Sequence, residues 1–194
     1  MDAKKHGLDN LLFIFSNKEA YDWYYPLKPY TLLEYKWVRD NLVLEGKQVI
    51  DAGCHHGNYA IVFKPANVHA VDNNPANLSI CRLNMQLNDM KPDLRLATLG
   101  AKGAMIPRAD IYKVDIEGAE HRLFPSELDR YPMVTCWIVE IHPNDGDPDI
   151  IAKMFLEKGF ELLKVDRESL TVRPYKIGEK WLSHATLIAR KDSK

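Results

Sequence analysis

The chain has 194 residues, 46% of them hydrophobic and 27% charged, with a formal net charge of -1. A chain of this length buries roughly 70% of the surface its unfolded form exposes, so a single domain with its own core is the default. The near-zero charge removes the clustered Lys and Arg on which non-specific nucleic-acid binding rests, and three widely spaced cysteines, Cys54, Cys81 and Cys136, exclude C-x-x-C zinc or redox chemistry and fit a reduced, cytoplasmic protein.

In chain order, the apolar run "LLFIF" (Leu11 to Phe15) is too short for a signal-peptide core, and nothing later approaches a membrane span. Residues 1–46 read as a helical, aromatic extension packed on a core domain of residues 47–194. The aromatic patch "YDWYYPLKPY" (Tyr21 to Tyr30) is packing for the helix that follows or a lid over a ligand; Lys28 would suit an anionic acceptor. Residues 31–47 have helical spacing, with Leu32, Tyr35, Trp37 and Val38 facing inward and Gly46 closing the element.

Short blocks rich in Val and Ile then alternate with helical stretches, the pattern of βαβ units on a parallel sheet. The blocks are "KQVID" (47–51), "VHAVD" (68–72), "LRLAT" (94–98), "DIYKVD" (110–115) and "CWIVEIH" (136–142). Between the second and third, Asn74 is a predicted N-cap, Pro75 suits the first turn, and Leu78, Cys81 and Met85 repeat on one side. The block from Leu99 to Arg108 is the least regular, and the helix expected there is short or missing. A helix over 149–159 ends at Gly159, and "FELLKVD" and "HATLIAR" (184–190) follow as strands that suggest a hairpin at one sheet edge.

The first strand runs into "DAGCHHGN". In a parallel α/β sheet the first βα turn approaches the ligand most closely, and Gly53 and Gly57 would let the backbone pass where a Cβ would collide. The dinucleotide fingerprint G-x-G-x-x-G would need glycines at 53, 55 and 58, but His55 and Asn58 stand at the last two. The observed D-x-G-x-x-x-G, from Asp51 through Cys54 to Gly57, resembles the first motif of S-adenosylmethionine-dependent methyltransferases. Asp72, at the end of the second strand and followed by Asn73, lies where an acid would meet ribose hydroxyls; the alternative is a turn residue before "NNP".

The fourth strand carries a denser signal. Asp110, Lys113, Asp115, Glu117 and Glu120 crowd a segment where central parallel strands are normally apolar, and charges there are costly unless paired or used. The run D-x-x-K-x-D-x-E-G-x-E through these residues and Gly118, followed by "IVEIHP" (Ile138 to Pro143), resembles the FkbM-type methyltransferases. So does the N-x-x-x-N spacing of Asn84 and Asn88. The likeness covers roughly Val49 to Pro143, with Cys54 and His55 where the family commonly has Ala and Asn, and with no acid in "ATLGAKG" to hold an adenine amine.

The resemblance implies a Rossmann-like methyltransferase fold: an αβα sandwich on a mostly parallel seven-stranded sheet with an antiparallel C-terminal edge hairpin. It also implies O-methylation of a hydroxyl on a small molecule or sugar, with S-adenosyl-L-methionine as cofactor. Asp51, Gly53, Cys54, His55, Gly57, Asn58, Asp72, Asn73 and Asp115 would bind it. An alcohol is a poor nucleophile until its proton leaves, so a base helps; Glu117, His142 and Asp115 are the candidates. Glu117 and His142 rank as facing the acceptor and Asp115 as facing the methionine end. A divalent ion on Asp115, Glu117 and Glu140 is a minority reading, and no metal is assigned. Rival readings are a catalytically degenerate binding protein of the same fold and an NAD-dependent oxidoreductase. The expected partner is a small hydroxylated molecule rather than nucleic acid or membrane, with a homo-oligomer left open.

Overall fold

The computed structural model describes residues 4–5, 11–15, 17–25, 27–99, 108–143, 146–181 and 185–191. Within them a two-stranded ribbon, β1 (Lys4–Lys5) with β2 (Leu12–Phe13), precedes a larger sheet. That sheet contains β3 (Gln48–Ala52), β4 (Asn67–Asp72), β5 (Asp93–Leu96), β6 (Ile111–Val114), β7 (Cys136–Ile141), β8 (Glu161–Asp166), β9 (Thr171–Pro174) and β10 (Ala185–Arg190). Their order across the sheet is β5-β4-β3-β6-β7-β10-β8-β9. The first five are parallel, while β10, β8 and β9 pair antiparallel.

The sheet therefore has eight strands rather than the expected seven. The additional strand, β9, is short, largely exposed and closed by Pro174, so it lacks the apolar run that marks a buried strand. It makes the edge hairpin with β8, whereas β10 crosses back to lie between β7 and β8.

Both faces of the sheet are covered. On one, α2 (Pro29–Asn41), α3 (Asn58–Val62) and α4 (Pro75–Leu87) pack Trp37, Ile61 and Met85 against Val49, Ala70 and Ile138. On the other, α5 (Glu120–Arg130) and α6 (Pro148–Glu157) pack Phe124 and Phe155 against Ile50, Tyr112 and Trp137. Alternation does the sorting, since neighbouring strand residues point to opposite faces. Helix α4 starts as its sequence specifies: the Asn74 side chain accepts from the Ala76 amide, and Pro75 follows.

Helix α2 departs from expectation by ending at Asn41, with Gly46 in the turn beyond at φ +72°. Tyr35, Trp37 and Val38 are buried, but Leu32 is 38% exposed and Glu34 is buried in its stead. Burial of that acid is offset by hydrogen bonds from Tyr59 Oη and Thr186 Oγ1, both 2.6 Å. A short helix, α1 (Lys18–Tyr24), is capped by Asn17. No helix among the described residues is long and apolar enough to cross a membrane.

Candidate active site

The strand order reverses between β3 and β6, the place where a crevice opens above an α/β sheet. Two cavities lie there. The larger, about 710 Å³, is lined by Gly53, His55, Asp72, Asn73, Asp115 and Glu117, with Asn17 and Ala20 from the N-terminal segment. The smaller, about 210 Å³, is lined by Asp51, Tyr59, Lys113, Glu140, His142 and Arg167, among others. Gly53, His55, Asp115 and Glu117 line both.

The glycine loop is tied to β4 by the amides of Gly53 and Cys54, which both donate to Val71 O at 2.9 and 3.0 Å. A Cβ on Gly53 would lie 1.6 Å from the Asp115 carbonyl oxygen, so glycine is required for the loop to cross the end of β6. Gly57 behaves differently from its expected role at a ligand: its nearest obstacle is Cys81 Sγ on α4, 2.7 Å from an added Cβ. It allows helix packing. Cys54 and Asn58 are buried and line the smaller cavity, with the Cys54 thiol held protonated by its hydrogen bond with Cys81 and by burial.

Asp51 is fully buried and neither carboxylate oxygen has a hydrogen-bond partner among the described residues. Burial pushes its pKa up to about 6 against the opposing pull of Lys113; the Ala60 amide also favours the charged form without meeting hydrogen-bond geometry. A buried acid with open acceptors on a cavity wall fits a cationic or amine-bearing ligand.

Asp72 holds the turn that its sequence position suggested as one of two roles. It lines the larger cavity, yet Oδ2 accepts from the His55 amide at 2.9 Å and Oδ1 from the Asn74 amide and Asn77 Nδ2 at 2.8 and 3.2 Å. A carboxylate has about four acceptor positions, so these donors leave little capacity for a ligand. Ala97, Thr98 and Leu99 line the far wall, while residues 100–107 of the irregular block lie outside the described residues.

Three cations answer the acids where the cavities meet. Lys113 Nζ sits 3.0 Å from Asp115 Oδ2 and over the Tyr59 ring. Burial works against its charge, but Asp115, Asp51 and Glu140 outweigh burial and raise its pKa. Burial likewise opposes the ionised Asp115, and Lys113 overcomes it, holding the carboxyl below the usual range. Arg167 bonds Glu140 at 2.7 Å and lies over the Tyr30 ring. His142 places Nδ1 3.2 Å from the fully buried Glu120 and Nε2 3.6 Å from Glu117. The hydrogen bond that His142 Nδ1 donates to the Glu120 carboxylate raises the His142 pKa to about 9 against the effect of burial.

Glu117 stands apart from this compensation. Its backbone adopts φ +52° and its side chain is 87% exposed. Partial burial and the nearby Asp115 raise its pKa, an effect screened by solvent at such exposure.

The ligand atoms of Asp115, Glu117 and His142 lie within 4.8 Å of one another, a set that a divalent ion could use. Glu140, named with Asp115 and Glu117 from the sequence, is instead bound to Arg167. Of this set, Asp115 already carries an ion pair with Lys113. Sequence reasoning missed Glu34 and Arg167, whose closeness depends on α2 meeting β8 and β9, between which Arg167 lies. Glu120 was read as part of a motif, but its grip on His142 was not visible.

These features define the class: a Rossmann-like methyltransferase fold with a two-part cavity at the carboxyl ends of its parallel strands. No family model matches the chain. Among curated proteins it resembles the ubiquinone biosynthesis O-methyltransferase of Azotobacter vinelandii, 32% identical over 106 residues, or 53% of this chain and 45% of that one. The chain thus spans about half the length of the curated relatives it matches. Among solved structures it resembles magnesium protoporphyrin IX methyltransferase from Synechocystis PCC 6803 with bound SAM, at TM-score 0.60, 17% identity, and 84% and 79% coverage of the two chains. It also resembles the tRNA m1G37 methyltransferase of M. jannaschii, at TM-score 0.60, 16% identity, and 99% and 57% coverage.

Proposed function

We propose that the protein binds S-adenosyl-L-methionine in the larger cavity and transfers its methyl group to a hydroxyl of a small acceptor held in the smaller one. The observation that carries this reading is the shared wall of Gly53, His55, Asp115 and Glu117 between the two cavities. When bound, the cofactor supplies an activated methyl on a sulfonium. The residues present fit it. Asp115, on the wall that both cavities share, would meet the methionine end, with Asp51 and its open oxygens adjoining from the smaller cavity; Gly53, Cys54, His55, Gly57 and Asn58 shape the loop; Asn73 and the remaining acceptor position of Asp72 would meet the ribose.

The chain's own contribution is to align an acceptor oxygen and take its proton. Glu117 is the proposed base, because it borders both cavities and no cation is bonded to it as closely as those on Asp115 and Glu140. His142, protonated at neutral pH, orients the carboxylate and acceptor rather than abstracting the proton. With the cofactor bound, Glu117 would take the proton of the acceptor hydroxyl.

A small acceptor suits the 210 Å³ volume, and the acid-rich lining disfavours a phosphate backbone. The FkbM-type affiliation is our reading of the motif from Asp110 to Glu120, and the cytoplasmic assignment rests on the cysteine pattern. Titration calorimetry with S-adenosylmethionine, S-adenosylhomocysteine and NAD tests the reading. Micromolar binding of both adenosyl compounds, with none of NAD, is expected; NAD binding alone, or no binding, sinks it.

A further inference from the structure

Asn84 and Asn88 have no part in the chemistry above, yet both are buried, Asn84 on α4 and Asn88 as its C-cap. Their carboxamides pair with the backbone of β2 and the residue after it. Leu12 N–H donates to Asn88 Oδ1 at 3.0 Å and Asn88 Nδ2 donates to Leu12 O at 2.7 Å. Ile14 N–H donates to Asn84 Oδ1 at 2.6 Å and Asn84 Nδ2 returns a bond to Ile14 O at 3.0 Å.

The geometry has a simple origin. Four residues of helix rise about 6.0 Å and two residues of strand about 6.8 Å, so amides at i and i+4 can face peptide groups at i and i+2. A carboxamide carries the same donor and acceptor as a peptide group. The two asparagines therefore act as a third strand on β2, whose other edge pairs Phe13 with Lys4 of β1.

Asn84 does more than Asn88. Its Nδ2 also donates to His56 O at 2.8 Å, inside the glycine loop, whereas the second bond of Asn88 goes back to Asn84 O on its own helix. One side chain thus joins the N-terminal segment to the loop. Downstream of that junction, Phe15 lies against the His56 ring, and Asn17 and Ala20 form a wall of the 710 Å³ cavity.

We infer that Asn84 is a positioning residue for the cofactor: it registers the segment Leu11–Tyr25 against the glycine loop, so that docking of this segment and occupation of the larger cavity favour each other. The inference rests on the reading that this cavity takes S-adenosylmethionine. Coupling of this kind is reciprocal, and so visible from both ends.

The test uses S-adenosylhomocysteine on the full chain, with Asn84→Leu and Asn88→Leu checked for folding by circular dichroism. In the wild type, ligand should slow hydrogen exchange of the Leu12 and Ile14 amides. Asn84→Leu should weaken binding roughly tenfold and abolish that slowing, since a net contribution near 1.4 kcal/mol is one decade. Asn88→Leu, which leaves the Asn84 bond to His56 intact, should weaken binding less, and it serves as the folded control should Asn84→Leu not fold. Unchanged affinity in folded Asn84→Leu, or no ligand effect on the two amides in a wild type that binds, would overturn the inference alone. A wild type that binds no adenosyl ligand overturns the cofactor reading, and this inference with it.

Discussion

Strands β6 and β7 belong to two different environments. On the face toward α5 and α6, Tyr112 stacks on Trp137 with ring centroids 4.6 Å apart, and Phe124 and Phe155 close around them. At their carboxyl ends and on the other face the same strands carry Lys113, Asp115, Glu140 and His142. The first region is stable because apolar area leaves water, with aromatic pairs adding to it. The second is held by cations set against acids, and beside it on β3 lies a fully buried acid, Asp51, with no hydrogen-bond partner among the described residues. Stability and function are therefore separable along single strands.

Trp137→Ala would test that separation most severely. Removing a fully buried indole should cost about 3–5 kcal/mol in urea unfolding, while the affinity of the surviving folded fraction for S-adenosylhomocysteine stays within about twofold. A large loss of affinity would join the two regions.

Glu117→Gln should do the reverse. Unfolding should move by less than about 0.5 kcal/mol, because the side chain is exposed, while methyl transfer at saturating cofactor falls on the order of 100-fold. Transfer near the wild-type rate would remove Glu117 from the mechanism.

A further test is a pH dependence. The folded-state pKa of His142 is raised from 6.5 to about 9, so its contribution to stability is fully present below pH 6.5 and lost as pH rises through 9. Wild type should lose a part of its stability between pH 6.5 and 9.5 that His142→Ala does not. Parallel curves for the two proteins would remove the Glu120–His142 pair from the account.

The parallel part of the sheet was legible because β3, β4, β6 and β7 are short blocks rich in Val and Ile that alternate with helical stretches. Strand β9 was not, since "TVRP" has no buried face of its own and exists through its pairing with β8. Within the site, charge and position marked Asp51, Asp115, Glu117 and His142, whereas the identity of their partners depends on the fold. Arg167 meets Glu140 across 27 positions, and Asn84 meets Ile14 across 70. Gly57 illustrates the limit: spacing showed that glycine belongs there, but only the packing of α4 shows that Cys81 is the reason.

Strand β10 has a consequence for how the chain is made. It lies between β7 and β8, although both precede it in sequence. During synthesis the five parallel strands can pair as they emerge, and β8 can close on β9. The facing edges of β7 and β8 then stay open until residues 185–190 arrive to pair with both. Open edges of this kind recruit other strands. A nascent chain stalled before residue 185 would carry two apolar edges ready to accept the β10 segment in trans, so a peptide of that sequence should capture it.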